Sequence, residues 1–544
     1  MAIDRRRFLK ASALQAVLVG TGSGMAGMGI VGCASHPGAA GVEPGTNPFR
    51  HGVASGDPLA DRVVLWTRVS PDRNRMREPI EVGWWVSRDR LGSDVVASGR
   101  TRARPERDYT VKIDAGGLEP ASDYYYGFES PTGSSPTGRT RTLPVGPVDH
   151  VRLAFASCAN YPQGFFNAYS CIANRDDLDV VLHLGDYLYE YGNGEYGDGT
   201  PLGRIPDPIH EAIDLEDYRR RHATYKSDPD LQAAHARFPW ITVWDDHESA
   251  DNAYKNGAEN HDADEGDWST RKLAAILAYH EWMPIRELPT GLFRSFRFGD
   301  LVDLVMLDTR LHGRDAQPPS GDDAAARDPD RTLLGDDQTS WLLDRLSESN
   351  RDGVIWRVIG QQVVVAPLTG GTSFFNPDSW DGYRENRRQI LDHLEQQEID
   401  NVVFLTGDIH SAWAFDIPPA PGSGGTYDPA TGKGARAVEF VAPAVSSPPL
   451  ATSVHAHRLI DGIDERLPHL RYKNLEENGF VLLDLTPERV RAEFVFTDPV
   501  GRRSARSHGE RAFETLSGSN HLSRQDSPAA VDDGEAARAT RRTG

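Results

Sequence analysis

Four apolar runs in this chain break off at residues whose side chains can bind a metal ion. Leu153-Ala154-Phe155-Ala156 runs into Ser157-Cys158, and Val180-Val181-Leu182-His183-Leu184 into Gly185-Asp186, with Tyr189 three residues further on. Trp240-Ile241-Thr242-Val243-Trp244 leads to Asp245-Asp246-His247-Glu248, and Val402-Val403-Phe404-Leu405 to Thr406-Gly407-Asp408-Ile409-His410. A single acid after such a run is ordinarily a helix N-cap. Four sets in chain order, mostly acceptor-type ligands, make a shared centre the better account. Thiolate, phenolate, imidazole and carboxylate around one centre suit a Lewis-acidic iron, whereas carboxylates alone suit calcium or another hard divalent ion. Two ions sharing a carboxylate can stabilise the attacking and leaving oxygens of an in-line displacement at phosphorus.

Such residues must be delivered by buried strands that end in loops, the place where α/β proteins gather their chemistry. The first two runs, about thirty residues apart with a helical interval between them, read as one βαβ unit. Strand-like runs also occupy residues 301–307, ending at Asp308-Thr309-Arg310, and residues 354–359; helical patterns cover 214–225, 270–281, 338–348 and 383–397. This alternation predicts a larger α/β domain over residues 147–522. The β-rich stretches at 437–441, 480–485 and 490–496 predict antiparallel strands that close its sheets. Residues 49–146 instead carry short β-rich runs between turn clusters, among them Arg62-Val63-Val64-Leu65-Trp66-Thr67-Arg68, and predict a small all-β sandwich of immunoglobulin or fibronectin type. The Ser, Asp, Ala and Arg-rich residues 523–544 are expected to form a disordered tail.

At 544 residues the chain is long enough for two domains, and 38% hydrophobic residues can fill a sizeable core. A net charge of −21 argues against a nucleic-acid-binding surface, while a small phosphorylated substrate needs only a local positive site. Three cysteines exclude a disulfide scaffold, although Cys158 could pair with Cys171 instead of binding metal. Arg5-Arg6-Arg7-Phe8-Leu9-Lys10 precedes a Gly/Ala-rich apolar run over 11–32, a pattern that resembles a twin-arginine export signal; a basic membrane helix is the rival reading. The run ends in Ile30-Val31-Gly32-Cys33, which resembles a lipobox with Cys33 as the lipid-attachment residue; a coincidental cysteine is the alternative. Residues 1–33 are therefore expected to be a signal peptide and 34–48 a linker. Export would use the twin-arginine machinery and leave the protein periplasmic, on the cell surface or secreted, with a membrane tether if Cys33 is lipidated.

Taken together, the motifs resemble the alkaline phosphatase D (PhoD-like) family of metallophosphoesterases. The resemblance runs from about Phe49 to Leu522 through HGVASGDP, RVVLWTR, FASCANY, HLGDYLYEYG, FPWITVWDDHE, VMLDTR, LTGDIHS and RYKNLEENGFVLLDLT. It implies a two-sheet α/β/β/α sandwich preceded by the small β-sandwich, and a site with one ferric ion (Fe3+) and one or more calcium ions (Ca2+). Matched motif by motif, Cys158, Tyr189 and His410 would bind iron, Asp186 would bridge, and Asp246 and Asp408 would hold calcium. Asn160 stands where many metallophosphoesterases have His, so Tyr189 would supply the missing bond. His247 would stand beside the scissile bond, oriented by Glu248, and Arg219 would clamp phosphate. Asp308 and Arg310 would act behind the site or structurally.

The implied reaction is hydrolysis of phosphate monoesters first and diesters second, by in-line attack of a metal-bound hydroxide. Two rivals stand beside it. One is a phospholipase D-type phosphodiesterase. The other is a lipid-anchored phosphate- or metal-binding protein without turnover, in which His247 would have no evident use.

Overall fold

The computed structural model describes residues 47–71, 77–288, 291–319, 322–368, 376–419, 426–452 and 463–525. The expected signal peptide, Cys33 and nearly all of the linker lie outside these residues. Among the described residues, no helix is long and apolar enough to cross a membrane.

Two mixed sheets pack face to face. In the larger sheet, strands Val151–Ala156, Val180–His183 and Pro239–Thr242 run parallel, with Ala156 opposite His183 and His183 opposite Thr242. Gly479–Leu485, Arg489–Thr497 and Ser507–Leu516 extend it antiparallel on one side. In the second sheet Val302–Met306, Trp356–Gly360, Val402–Thr406 and Ala437–Val441 are parallel, and Arg294–Phe298, Ala412–Ile417 and Leu470–Asn474 add antiparallel edges.

Strand periodicity explains the layering. Side chains alternate between faces, so a strand buried on both sides reads as a continuous apolar run. Leu304, Val358, Val403 and Leu405 enter the core between the sheets with Leu153, Phe155 and Val181. Their neighbours Val305, Ile359, Val402 and Phe404 point the other way, onto Leu342 and Leu346 of helix Asp336–Arg351 and Ile390 and Leu394 of helix Arg384–Gln396. Emptying one such leucine to alanine costs about 2–5 kcal/mol. Helix Leu215–Lys226 starts where Asp214 accepts from Asp217 N, and helix Pro229–Arg237 where Asp228 accepts from Asp230 N and Leu231 N.

The amino-terminal β-sandwich is present but shares a sheet with its neighbour. Its strands Val53–Gly56, Arg62–Arg68 and Thr110–Gly116 continue the larger sheet, because Val53–Gly56 pairs parallel to Pro239–Thr242 through Ser55↔Pro239 and Gly56↔Trp240. Its second layer holds Ile80–Ser87, Val95–Ala103 and Asp123–Ser130. Val63, Leu65 and Val111 meet Val82, Tyr124 and Phe128 between the two layers. At the other end, Ser523–Gln525 pairs with Ser507–Leu516, so the first residues of the expected tail form an edge strand; residues 526–544 lie outside the described part.

Candidate metal centre and its surroundings

The parallel strands of both sheets end at one edge, and the loops that follow carry Cys158, Asp186, Asp246, Asp408 and His410. Four of these bend the backbone into the left-handed region, with φ of 62° at Cys158, 53° at Asp186, 65° at Asp408 and 55° at His410. Left-handed backbone costs a residue with a Cβ about 1–2 kcal/mol, and such strain gathers where a site needs side chains aimed against the local preference. Glycines let the loops approach. A Cβ on Gly185, at φ +100°, would lie 2.4 Å from Asp245 N, and one on Gly407 would lie 2.8 Å from Ser157 Cβ. Cys158 N then donates to Gly185 O at 3.2 Å and Ala159 N to Asp186 O at 2.8 Å.

Two sets of ligand atoms result. Cys158, Asp186 and His410 place one atom each within 4.8 Å of one another, and so do Asp186, Asp246 and His247. Asp186 belongs to both. Tyr189 joins the first set: its hydroxyl donates to Asp186 Oδ2 at 2.9 Å, lies 3.1 Å from His410 Nε2, and accepts from Ser447 Oγ at 2.7 Å. Asp186 Oδ1 is buried without a hydrogen-bond partner, which is costly unless a cation is supplied. Burial pushes the Asp186 carboxyl well above its usual range, with Asp246, Glu248 and Asp408 adding to the rise against His247. Burial and then Asp186 likewise push up the Cys158 thiol and the Tyr189 phenol. A crowd of buried acids with an uncapped oxygen, a thiol and a phenol fits bound cations. Cys158 and Cys171 are both free thiols, so the disulfide alternative falls away.

Asp408 lies beside these sets rather than in them. Arg310, fully buried, reaches its Oδ1 at 3.2 Å, lies 3.6 Å from Asp246 Oδ2, bonds Asp378 Oδ1 at 2.8 Å, and also grips Asp245. Asp308 fixes the Arg310 turn by accepting from Arg310 N and Leu311 N, both at 2.9 Å. Both residues act through neighbouring groups, Asp308 by fixing a turn. Arg310 has a larger part: it is the cation that holds the site's carboxylates together.

Two other expectations need correction. Glu248 does not orient His247; its carboxylate accepts from Asp186 N at 3.1 Å, Tyr187 N at 2.7 Å and Asp245 N at 2.8 Å, which ties two loops together. The orienting acid is Glu190, whose Oε2 lies 2.8 Å from His247 Nδ1. Burial opposes protonation of His247, but Asp246, Glu190 and Asp186 raise it well above its usual value. Arg219 is not placed to clamp phosphate, because Glu281 takes its Nε and Nη2 at 2.7 Å each and the Glu106 carbonyl accepts at 2.8 Å. Its neighbour Arg221 is buried and donates to the Tyr189 and Tyr191 carbonyls, so it braces the ligand loop.

Glu190, Ser447 and Tyr196 line this site without having been expected there. Glu190 directly follows Tyr189, but nothing in the sequence ranks it above Glu248 as the partner of His247. Ser447 follows the end of Ala437–Val441, where the strand-end rule could have found it. Tyr196 comes from a loop with no such marker.

An α/β/β/α sandwich with acids, imidazoles and a thiol gathered at one strand edge is the architecture of the metallophosphoesterases. Residues 153–494 match the family described as PhoD-like phosphatase, and residues 32–144 match its N-terminal domain. Alkaline phosphatase D of Bacillus subtilis (strain 168) is 38% identical over 468 residues, which cover 82% of this chain and 77% of that protein. The solved structure of PhoD superposes with a TM-score of 0.79 at 34% identity, covering 90% of this chain and 94% of that one. The chain belongs to the PhoD-like phosphatase family, a family of phosphoric ester hydrolases.

Proposed function

We propose that this protein is an exported, metal-dependent alkaline phosphatase that hydrolyses phosphate monoesters. The carrying observation is Asp186, common to both ligand sets and with a buried oxygen left over. Cys158, Asp186, Tyr189 and His410 would hold ferric iron, since thiolate, phenolate and imidazole suit that ion; Asp186, Asp246 and Asp408 would hold calcium through oxygen. When bound, these cations supply Lewis-acid charge that polarises the phosphoryl oxygens and makes water more acidic.

The chain's own residues do the rest. Glu190 fixes the His247 ring through Nδ1, which leaves Nε2 to face the departing oxygen and hand it a proton. Arg310 keeps the carboxylates together rather than touching substrate, since Asp245, Asp378 and Asp408 engage its nitrogens. Arg5-Arg6 support twin-arginine export, which carries folded, cofactor-loaded proteins, and Cys33 supports a lipid tether.

The test is hydrolysis of a chromogenic phosphomonoester and a matching diester at alkaline pH, before and after chelation, with iron and calcium restored separately. Monoester turnover lost on chelation and regained only with both ions supports the reading. Turnover confined to the diester would favour the phosphodiesterase. Bound iron with no turnover of either would leave a binding protein.

A further inference from the structure

Tyr196 lies further along the long connection between Val180–His183 and helix Leu215–Lys226, past the turn that carries Asp186 and Tyr189. The loop over residues 192–203 is folded on itself by Gly192 N to Glu195 Oε2 at 2.9 Å and Gly194 N to Gly197 O at 2.8 Å. Gln163 Nε2 anchors it, donating to the Tyr196 carbonyl at 2.7 Å. At the far end of the side chain, the Tyr196 hydroxyl lies 3.1 Å from His410 Nδ1. The ring is nearly parallel to both site imidazoles, at 12° to His247 and 25° to His410, with centroids 6.3 Å away in each case. Tyr196 thus spans a histidine from each sheet.

The two nitrogens of His410 face different ways. Nε2 is the one 3.1 Å from the Tyr189 hydroxyl and 3.9 Å from Asp186 Oδ2, so it looks into the first ligand set, while Nδ1 looks toward Tyr196. An imidazole that binds a cation through Nε2 carries its proton on Nδ1, and whatever accepts that proton fixes ring rotation and tautomer. Such supporting partners are ordinarily carboxylates, carbonyls or water; here a phenol from a separate loop is in place.

We propose that Tyr196 is a positioning residue for His410, accepting the Nδ1 proton so that Nε2 stays aimed at Cys158, Asp186 and Tyr189. Retention of the cation in that set then depends on the 192–203 loop being docked. The inference rests on the metal-site reading above.

The test compares wild type, Tyr196→Phe, Tyr196→Ala and His410→Ala. Metal content is followed by elemental analysis during graded chelation, and the thermal midpoint of each metal-free form is measured beside it. Tyr196→Phe deletes one hydroxyl and keeps the ring, so its metal-free midpoint should match wild type while iron is held about 10- to 100-fold more weakly. Tyr196→Ala should hold iron no better than Tyr196→Phe. If Tyr196→Phe keeps iron as tightly as wild type while His410→Ala sheds it, the positioning role is wrong and the metal site stands. If His410→Ala also keeps its iron, the metal-site reading itself fails.

Discussion

His247 and Glu190 stand 2.8 Å apart, Nδ1 to Oε2, buried between loops that follow different strands of the larger sheet. Glu190 uses its other oxygen to accept from Asp251 N and Asn260 Nδ2, both at 2.8 Å, so the pair is fixed from behind. Glu190→Gln keeps an acceptor but removes the charge beside the imidazole. We expect kcat to fall by about 100-fold, with KM and the thermal midpoint little changed. Steady-state kinetics and a melting curve check this; a loss matched by a collapse of the midpoint would make Glu190 merely structural.

Arg310 neutralises a crowd of acids that would otherwise repel one another. Removing one partner of a buried charge network costs about 3–5 kcal/mol, and Arg310→Met leaves Asp245, Asp378 and Asp408 facing each other. The metal-free variant should be destabilised by about that amount, and added calcium should restore more stability to it than to wild type. Denaturant unfolding with and without calcium checks both parts.

His183 governs part of the acid response. Its ring is buried beside Trp240, with Tyr169 Oη 2.8 Å from Nε2, and burial lowers it from 6.5 to about 3. The folded state keeps the imidazole neutral while the unfolded chain takes up a proton below pH 6.5. Its contribution is therefore fully present above 6.5 and is lost as pH falls toward 3, at up to about 1.4 kcal/mol per pH unit. His183→Gln, compared in metal-free protein, should lose stability less steeply across that window; parallel curves would remove His183 from the account.

Much of the site was legible in the sequence because buried parallel strands advertise their own ends. The runs before Cys158, Asp186, Asp246 and Asp408 are apolar on both faces, and their last residues could be read directly. What lay hidden depends on contacts between distant segments. Glu248 adjoins His247 in sequence, yet the turn after Trp244 aims it at backbone amides, while Glu190, fifty-seven positions away, takes the imidazole. Arg219 and Arg310 look alike as letters; only packing shows that Glu281 occupies one and the site's acids surround the other. The seam between the β-sandwich and its neighbour was hidden in a similar way, since the pairing of Gly56 with Trp240 that merges the sheets leaves no local mark. The left-handed backbone at Cys158, Asp186, Asp408 and His410 is also invisible in composition, because these are not glycines.

The central claim is that Asp186 is shared by two cation sites, and metal stoichiometry of two variants tests it most directly. Asp186→Asn should strip both the iron and the calcium positions, whereas Asp246→Asn should lose calcium and keep the iron held by Cys158, Tyr189 and His410. Asp186→Asn retaining a full complement of both metals would contradict the account.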